Sequence, residues 1–138
     1  EKAGGNPFLY FFNHTLEVLK FTRDGGLLGL GYDEMGSFHG SELPLVFDFA
    51  PALINDEPQL ATVMGELWTS FAGEGQPSTT QVPVTWNQYT AAVDNNINLD
   101  TPVESEVHET QALKVDNCDW WDQQDIPATV VFAGPSYL

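Results

Sequence analysis

Phe8-Leu9-Tyr10-Phe11-Phe12 is a run of five apolar side chains with no polar alternation, and it constrains the fold more than any other stretch. A strand with one wet face alternates apolar and polar residues, whereas an uninterrupted run belongs inside a sheet covered on both faces. Gly4, Gly5 and Pro7 punctuate its start, so the spacing predicts a strand over residues 8–13. No other stretch reads as an obvious partner strand. The strand is therefore expected to be completed by residues outside these 138, since an unpaired apolar strand is an aggregation liability.

Around this strand the chain alternates strands and helices, which predicts an α/β fold. Leu60, Val63, Met64, Leu67, Trp68 and Phe71 recur at i, i+3, i+4 and i+7, predicting a helix over 57–72 that lays this stripe on a core, with Gly73 and Gly75 ending it. A shorter helix is expected from Ser41, as a cap, to about Phe49, with Pro44 in its first turn. A late strand is expected over 110–115 and a terminal helix over 118–124, sealed to the body by Trp120 and Trp121. Twenty-four residues, 15–38, join His14 to His39, with Asp24-Gly25-Gly26 marking a turn between two apolar pieces.

Charge narrows the partners. Twenty Asp and Glu face four Lys and Arg (Lys2, Lys20, Arg23, Lys114), a formal net charge of −16. Such a surface repels phosphate backbones and anionic membranes, so nucleic acid is excluded as a partner. With 42% apolar residues the chain is too hydrophobic for a disordered segment, and no 18-residue apolar span suggests a transmembrane helix. Three scattered histidines and one cysteine lack metal-ligand spacing, so neither a metal nor another cofactor is expected.

The chemistry-bearing stretch is Gly36-Ser37-Phe38-His39-Gly40-Ser41-Glu42-Leu43. Glycines on both sides let the backbone turn tightly and present an imidazole, and an imidazole can take and return a proton near neutral pH. An ordinary loop histidine would look the same by spacing alone.

The surrounding landmarks decide between the two. Gly36-x-x-His39-Gly40-x-Glu42-Leu43 is similar to the segment around the triad histidine of type-B carboxylesterases, the family of cholinesterases and fungal esterases and lipases. Phe8 to Thr15 resembles the preceding strand, and Leu67-Trp68-Thr69-Ser70-Phe71-Ala72 with Gly75 and Pro77 resembles the family's helix and turn. Trp86-Asn87-Gln88-Tyr89-Thr90 and Cys118-Asp119-Trp120-Trp121-Asp122 resemble its last landmarks. These five stand in family order between Pro7 and Asp122.

The resemblance implies the C-terminal part of an α/β-hydrolase domain: a mixed, mostly parallel central sheet flanked by helices, incomplete on its own. It implies ester hydrolysis through an acyl-enzyme, with His39 as general base. No Gly-x-Ser-x-Gly elbow occurs here, and chain order in this architecture puts serine and acid before histidine. Both are therefore expected on an N-terminal partner chain or segment, with a small-molecule ester as substrate. The alternative is a catalytically dead, adhesion-type relative. Gly36, Gly40 and Glu42 would support the histidine loop; Leu27, Leu28, Leu30 and Phe38 would border the substrate pocket, with cover of the sheet edge an equal alternative for the first three. Residues 15–38 form a longer connection than the family usually has.

Other residues carry weaker expectations. His14 reads as a structural hydrogen-bonding residue at the strand end and His108 as solvated. Asn13-His14-Thr15 is an N-glycosylation sequon, in keeping with a secreted protein. Cys118, the single cysteine, is either a free thiol buried beside Trp120 or, as the family implies, disulfide-bonded to the missing part.

Overall fold

A computed structural model describes residues 5–17 and 36–124. Along the chain run β1 (Tyr10–Phe12), α1 (Leu43–Val46), a 3-10 turn (Ala50–Ala52), α2 (Glu57–Glu74), β2 (Asn95–Leu99), α3 (Val103–Glu106), β3 (His108–Gln111) and α4 (Val115–Asp122). The three strands form one mixed sheet in the order β1-β2-β3. β1 lies parallel to β2, with Tyr10 opposite Ile97 and Phe12 opposite Leu99, and β3 returns antiparallel, with Asn98 opposite His108. The architecture is α/β, and the sheet is small.

α2 is the element that organises the core. Its periodic stripe buries Leu60, Ala61, Val63, Met64 and Leu67 against Ile97 and Leu99 of β2, Leu45 of α1, and Val103 and Val107 around α3. Pro58 sits in the first turn, where its missing N–H is harmless. The helix passes through Gly73 and stops at Gly75, whose left-handed backbone (φ 73°) places its N–H on the Phe71 carbonyl at 2.8 Å. Aromatic packing continues the core beside β1: Phe8 meets Trp86 and Phe71 edge-on, Tyr10 meets Trp68, and the Trp86 indole N–H donates to the Leu9 carbonyl at 3.1 Å.

The sheet departs from the sequence reading in three ways. β1 has a partner, because Asn95-Asn96-Ile97-Asn98-Leu99 is a strand despite its polarity. Its asparagines are buried and mostly satisfied: Asn95 donates to the Asn87 carbonyl, Asn96 accepts from the Thr110 hydroxyl, and Asn98 donates to the Glu106 carbonyl. Among the described residues β1 is also an edge strand, with Leu9 and Tyr10 each 39% exposed where the run was expected to be covered on both faces. Finally, the late strand lies at His108–Gln111, and the last helix begins at Val115. That helix leaves Trp120 and Trp121 53% and 58% exposed, packed on each other at 4.7 Å instead of sealing it to the described body.

Candidate active site

His39 stands on a tight turn that the local sequence builds almost alone. Ser41 N–H donates to the Phe38 carbonyl at 2.9 Å, and Leu43 N–H donates to the Gly40 carbonyl at 3.2 Å. Ser41 does not cap α1; its hydroxyl instead accepts the Phe38 N–H at 3.2 Å, and Glu42 occupies the cap position. Gly36 and Gly40 have φ of 58° and 84°. At Gly40 the left-handed backbone is one that side chains rarely adopt, so glycine there is a requirement of the turn. Pro44 opens α1, and Leu45, fully buried against α2, anchors the turn to the core. The short helix thus converts a flexible glycine loop into a fixed mount.

The His39 side chain is exposed and has no hydrogen-bond partner among the described residues. Beside it opens a cleft of about 480 Å³ lined by Gly36, Ser37, Phe38 and Glu42 from this turn, by Tyr10, Phe11, Phe12, Asn13 and Thr15 from β1 and its exit, and by Lys114. The turn of His39 therefore forms one wall, although the imidazole itself is not in the lining. Phe38 is 36% exposed at this wall, and Glu42 is half-buried with no capping bond to α1. Lys114 reaches over Phe11, its Nζ 5.1 Å from the ring centre.

On its strand side the cleft is lined by Tyr10 to Asn13 and Thr15. Asn13 N–H donates to the Leu99 carbonyl and Ile97 N–H to the Leu9 carbonyl, so odd-numbered residues face β2. By the alternation of a parallel ladder, Tyr10 and Phe12 direct their backbone polar groups at the opposite edge, where no described residue pairs with them.

A second histidine cluster is the part that spacing could not reveal. His14 is buried at the exit of β1, with Nε2 3.0 Å from Glu57 Oε1 and Nδ1 2.8 Å from Asp100 Oδ1. Glu57 opens α2, fully buried, and its carboxylate also accepts the backbone N–H groups of Ile54 and Glu17. Asp100 follows β2 and accepts the Thr101 N–H at 2.8 Å. With both ring nitrogens occupied by carboxylates and no serine hydroxyl in reach among the described residues, this arrangement is not a nucleophile–base pair. The reading of His14 as a hydrogen-bonding residue agrees with it; its partners went unseen because they lie 43 and 86 positions away.

The remaining sites separate clearly. Asn13 is exposed, its amide 3.4 Å from Asp100 Oδ2. His108 is exposed, on β3. Cys118 is exposed and free, which corrects the expectation of a thiol buried beside Trp120. Leu27, Leu28 and Leu30 lie outside the described residues. Among the described residues no group of three or more His, Cys, Asp or Glu side chains could hold a metal ion, and no helix is long and apolar enough to cross a membrane.

Comparison with curated proteins gives no match. The sequence model of the carboxylesterase family, in contrast, matches residues 1–121, spanning β1, the His39 turn, α2, the whole sheet and most of α4. The chain belongs to the carboxylesterase family.

Proposed function

We propose that this chain is the histidine-bearing, C-terminal part of a secreted serine ester hydrolase, and that 1–138 is a segment of one α/β-hydrolase domain. The observation that carries the reading is the His39 turn itself: a glycine-flanked, exposed imidazole with no hydrogen-bond partner among the described residues, on a turn anchored to the core and beside a cleft lined by β1 and its exit. An imidazole held this way is free to take a proton from a nucleophile supplied by another part of the enzyme. The edge of β1 that no described residue pairs with offers the place where further strands would extend the sheet and bring that nucleophile in.

In this reading a serine on the N-terminal part attacks the ester carbonyl while His39 accepts its proton. His39 then returns the proton to the departing alcohol, leaving an acyl-serine, and the same imidazole activates water to release the acid. An aspartate or glutamate of the N-terminal part orients the ring. Gly36 and Gly40 give the turn its shape, Glu42 braces it, and Phe38, with Leu27, Leu28 and Leu30, contributes apolar surface for the ester. No cofactor is required by this chemistry. Cys118 is available for a disulfide to the N-terminal part, and Asn13 for a glycan.

The test is His39→Ala in the intact enzyme, assayed on short-chain esters and with a fluorophosphonate label on the serine. Loss of about 10²- to 10⁴-fold in hydrolysis, the usual contribution of a general base, supports the assignment. Near-native hydrolysis overturns it.

A further inference from the structure

The buried cluster at the exit of β1 has more acceptors than a neutral imidazole can serve. Glu57 uses Oε1 for the Glu17 N–H and Oε2 for the Ile54 N–H, and Asp100 uses Oδ1 for the Thr101 N–H. Those backbone donors favour both acids as ionised acceptors. Neutral histidine donates from one ring nitrogen only, so one nitrogen would face a carboxylate oxygen lone pair to lone pair, at 2.8 or 3.0 Å. The Thr101 hydroxyl also lies near Nδ1, but at 3.3 Å it is farther than Asp100. Two ring protons remove the conflict. Burial alone would disfavour a charged ring, but the pairing offsets that cost, because a carboxylate as enclosed as Glu57 would itself be costly without a cationic partner.

We propose that His14 is a positioning residue held as an imidazolium, a charged clasp that donates from Nε2 to Glu57 and from Nδ1 to Asp100. It joins three element ends: the exit of β1, the first residue of α2 and the residue after β2. Glu57 faces it from α2, Asp100 from the end of β2, and Glu17 approaches from the chain leaving β1, where its carboxylate accepts from the Asn55 amide. Among the described residues, His14 is the one basic side chain paired with either Glu57 or Asp100. The clasp sets the start of α2, against which α1 packs, and α1 leaves directly from the His39 turn. Only that last consequence rests on the ester-hydrolase reading; the clasp stands on the hydrogen-bond geometry.

The experiment is nitrogen-15 spectroscopy of the imidazole rings in the intact protein at about pH 8, where an ordinary imidazole is neutral. The His14 ring is assigned through bonds from its own backbone and Cβ resonances, independently of any other histidine in the intact protein. The expected result is a His14 ring with both nitrogens protonated. In Asp100→Asn the amide oxygen still accepts but the second charge is gone, and His14 should revert to a single-proton tautomer. A bare nitrogen on His14 in the unmodified protein overturns the proposal, and so does persistence of both protons in Asp100→Asn. Neither outcome depends on ester hydrolysis, so failure of the clasp and failure of the His39 assignment are distinguishable.

Discussion

Glu57 and His14 are hydrogen-bonded, with 3.0 Å between Oε1 and Nε2, and both side chains are all but sealed from solvent. Such a buried pair is a poor source of net stability but a costly one to break, because the surviving Glu57 loses its one side-chain partner among the described residues while staying buried. His14→Ala is therefore expected to destabilise the protein by about 3–5 kcal/mol. Urea denaturation measures it; a loss below about 1 kcal/mol would show that water or a neutral Glu57 replaces the pair.

The α2 stripe gives a second expectation. Leu60, Met64 and Leu67 are buried where the helix meets β2 and α1. Leu60→Ala should cost about 2–5 kcal/mol, the range for a large side chain removed from a packed core. The exposed Phe47→Ala, 76% accessible, should stay within about 0.5 kcal/mol. Equal effects at the two sites in thermal or urea denaturation would contradict the placement of the core.

Glu66 predicts a pH dependence. The Thr80 backbone N–H, then the Thr79 hydroxyl and the Gln81 amide, hold its carboxyl down at about 2 against an ordinary 4.5. A depressed value in the folded state means stabilisation fully present above about pH 4.5 and lost as the pH falls through about 2. Thermal melts between about pH 6 and pH 2 should therefore decline less steeply in Glu66→Gln than in the unmodified protein. Parallel profiles would show that the loop over 78–81 does not depend on this carboxylate.

The two glycines at the end of α2 should respond in opposite directions. Gly73 lies inside the helix with open space around an added Cβ, so Gly73→Ala should stabilise by about 0.5–1 kcal/mol. Gly75→Ala also meets no neighbour but must adopt φ 73°, and should destabilise by about 1–2 kcal/mol. Melting temperatures of the two variants decide it.

These elements also show what a sequence can and cannot disclose. The α2 stripe was legible from Leu60 to Phe71 because helical burial repeats in register with the residues themselves. The His39 turn was legible through Gly36, Gly40 and Pro44, whose backbone limits are intrinsic. β2 was not, because asparagine disfavours strands on its own and is tolerated here only through buried amide bonds to Asn87, Thr110 and Glu106. Asp100 and Glu57 gave no local sign of pairing with His14, since that contact exists only once the β1–β2 pairing and the α2 packing are formed. The exposure of Trp120 and Trp121 was missed for a related reason: bulk and apolarity do not say whether a surface is there to receive them.

The parallel pairing of β1 with β2 bears on the order in which the protein folds. Tyr10 meets Ile97 across 87 positions, whereas Asn98 meets His108 across 10. Closing the longer loop costs about 2 kcal/mol more chain entropy than closing the shorter one. The β2–β3 hairpin and α2 can therefore assemble first, with β1 captured last, when His14 reaches the two acids waiting at the ends of β2 and α2. Weakening β1 should then speed unfolding and leave the folding rate nearly untouched, while weakening the hairpin should slow folding itself.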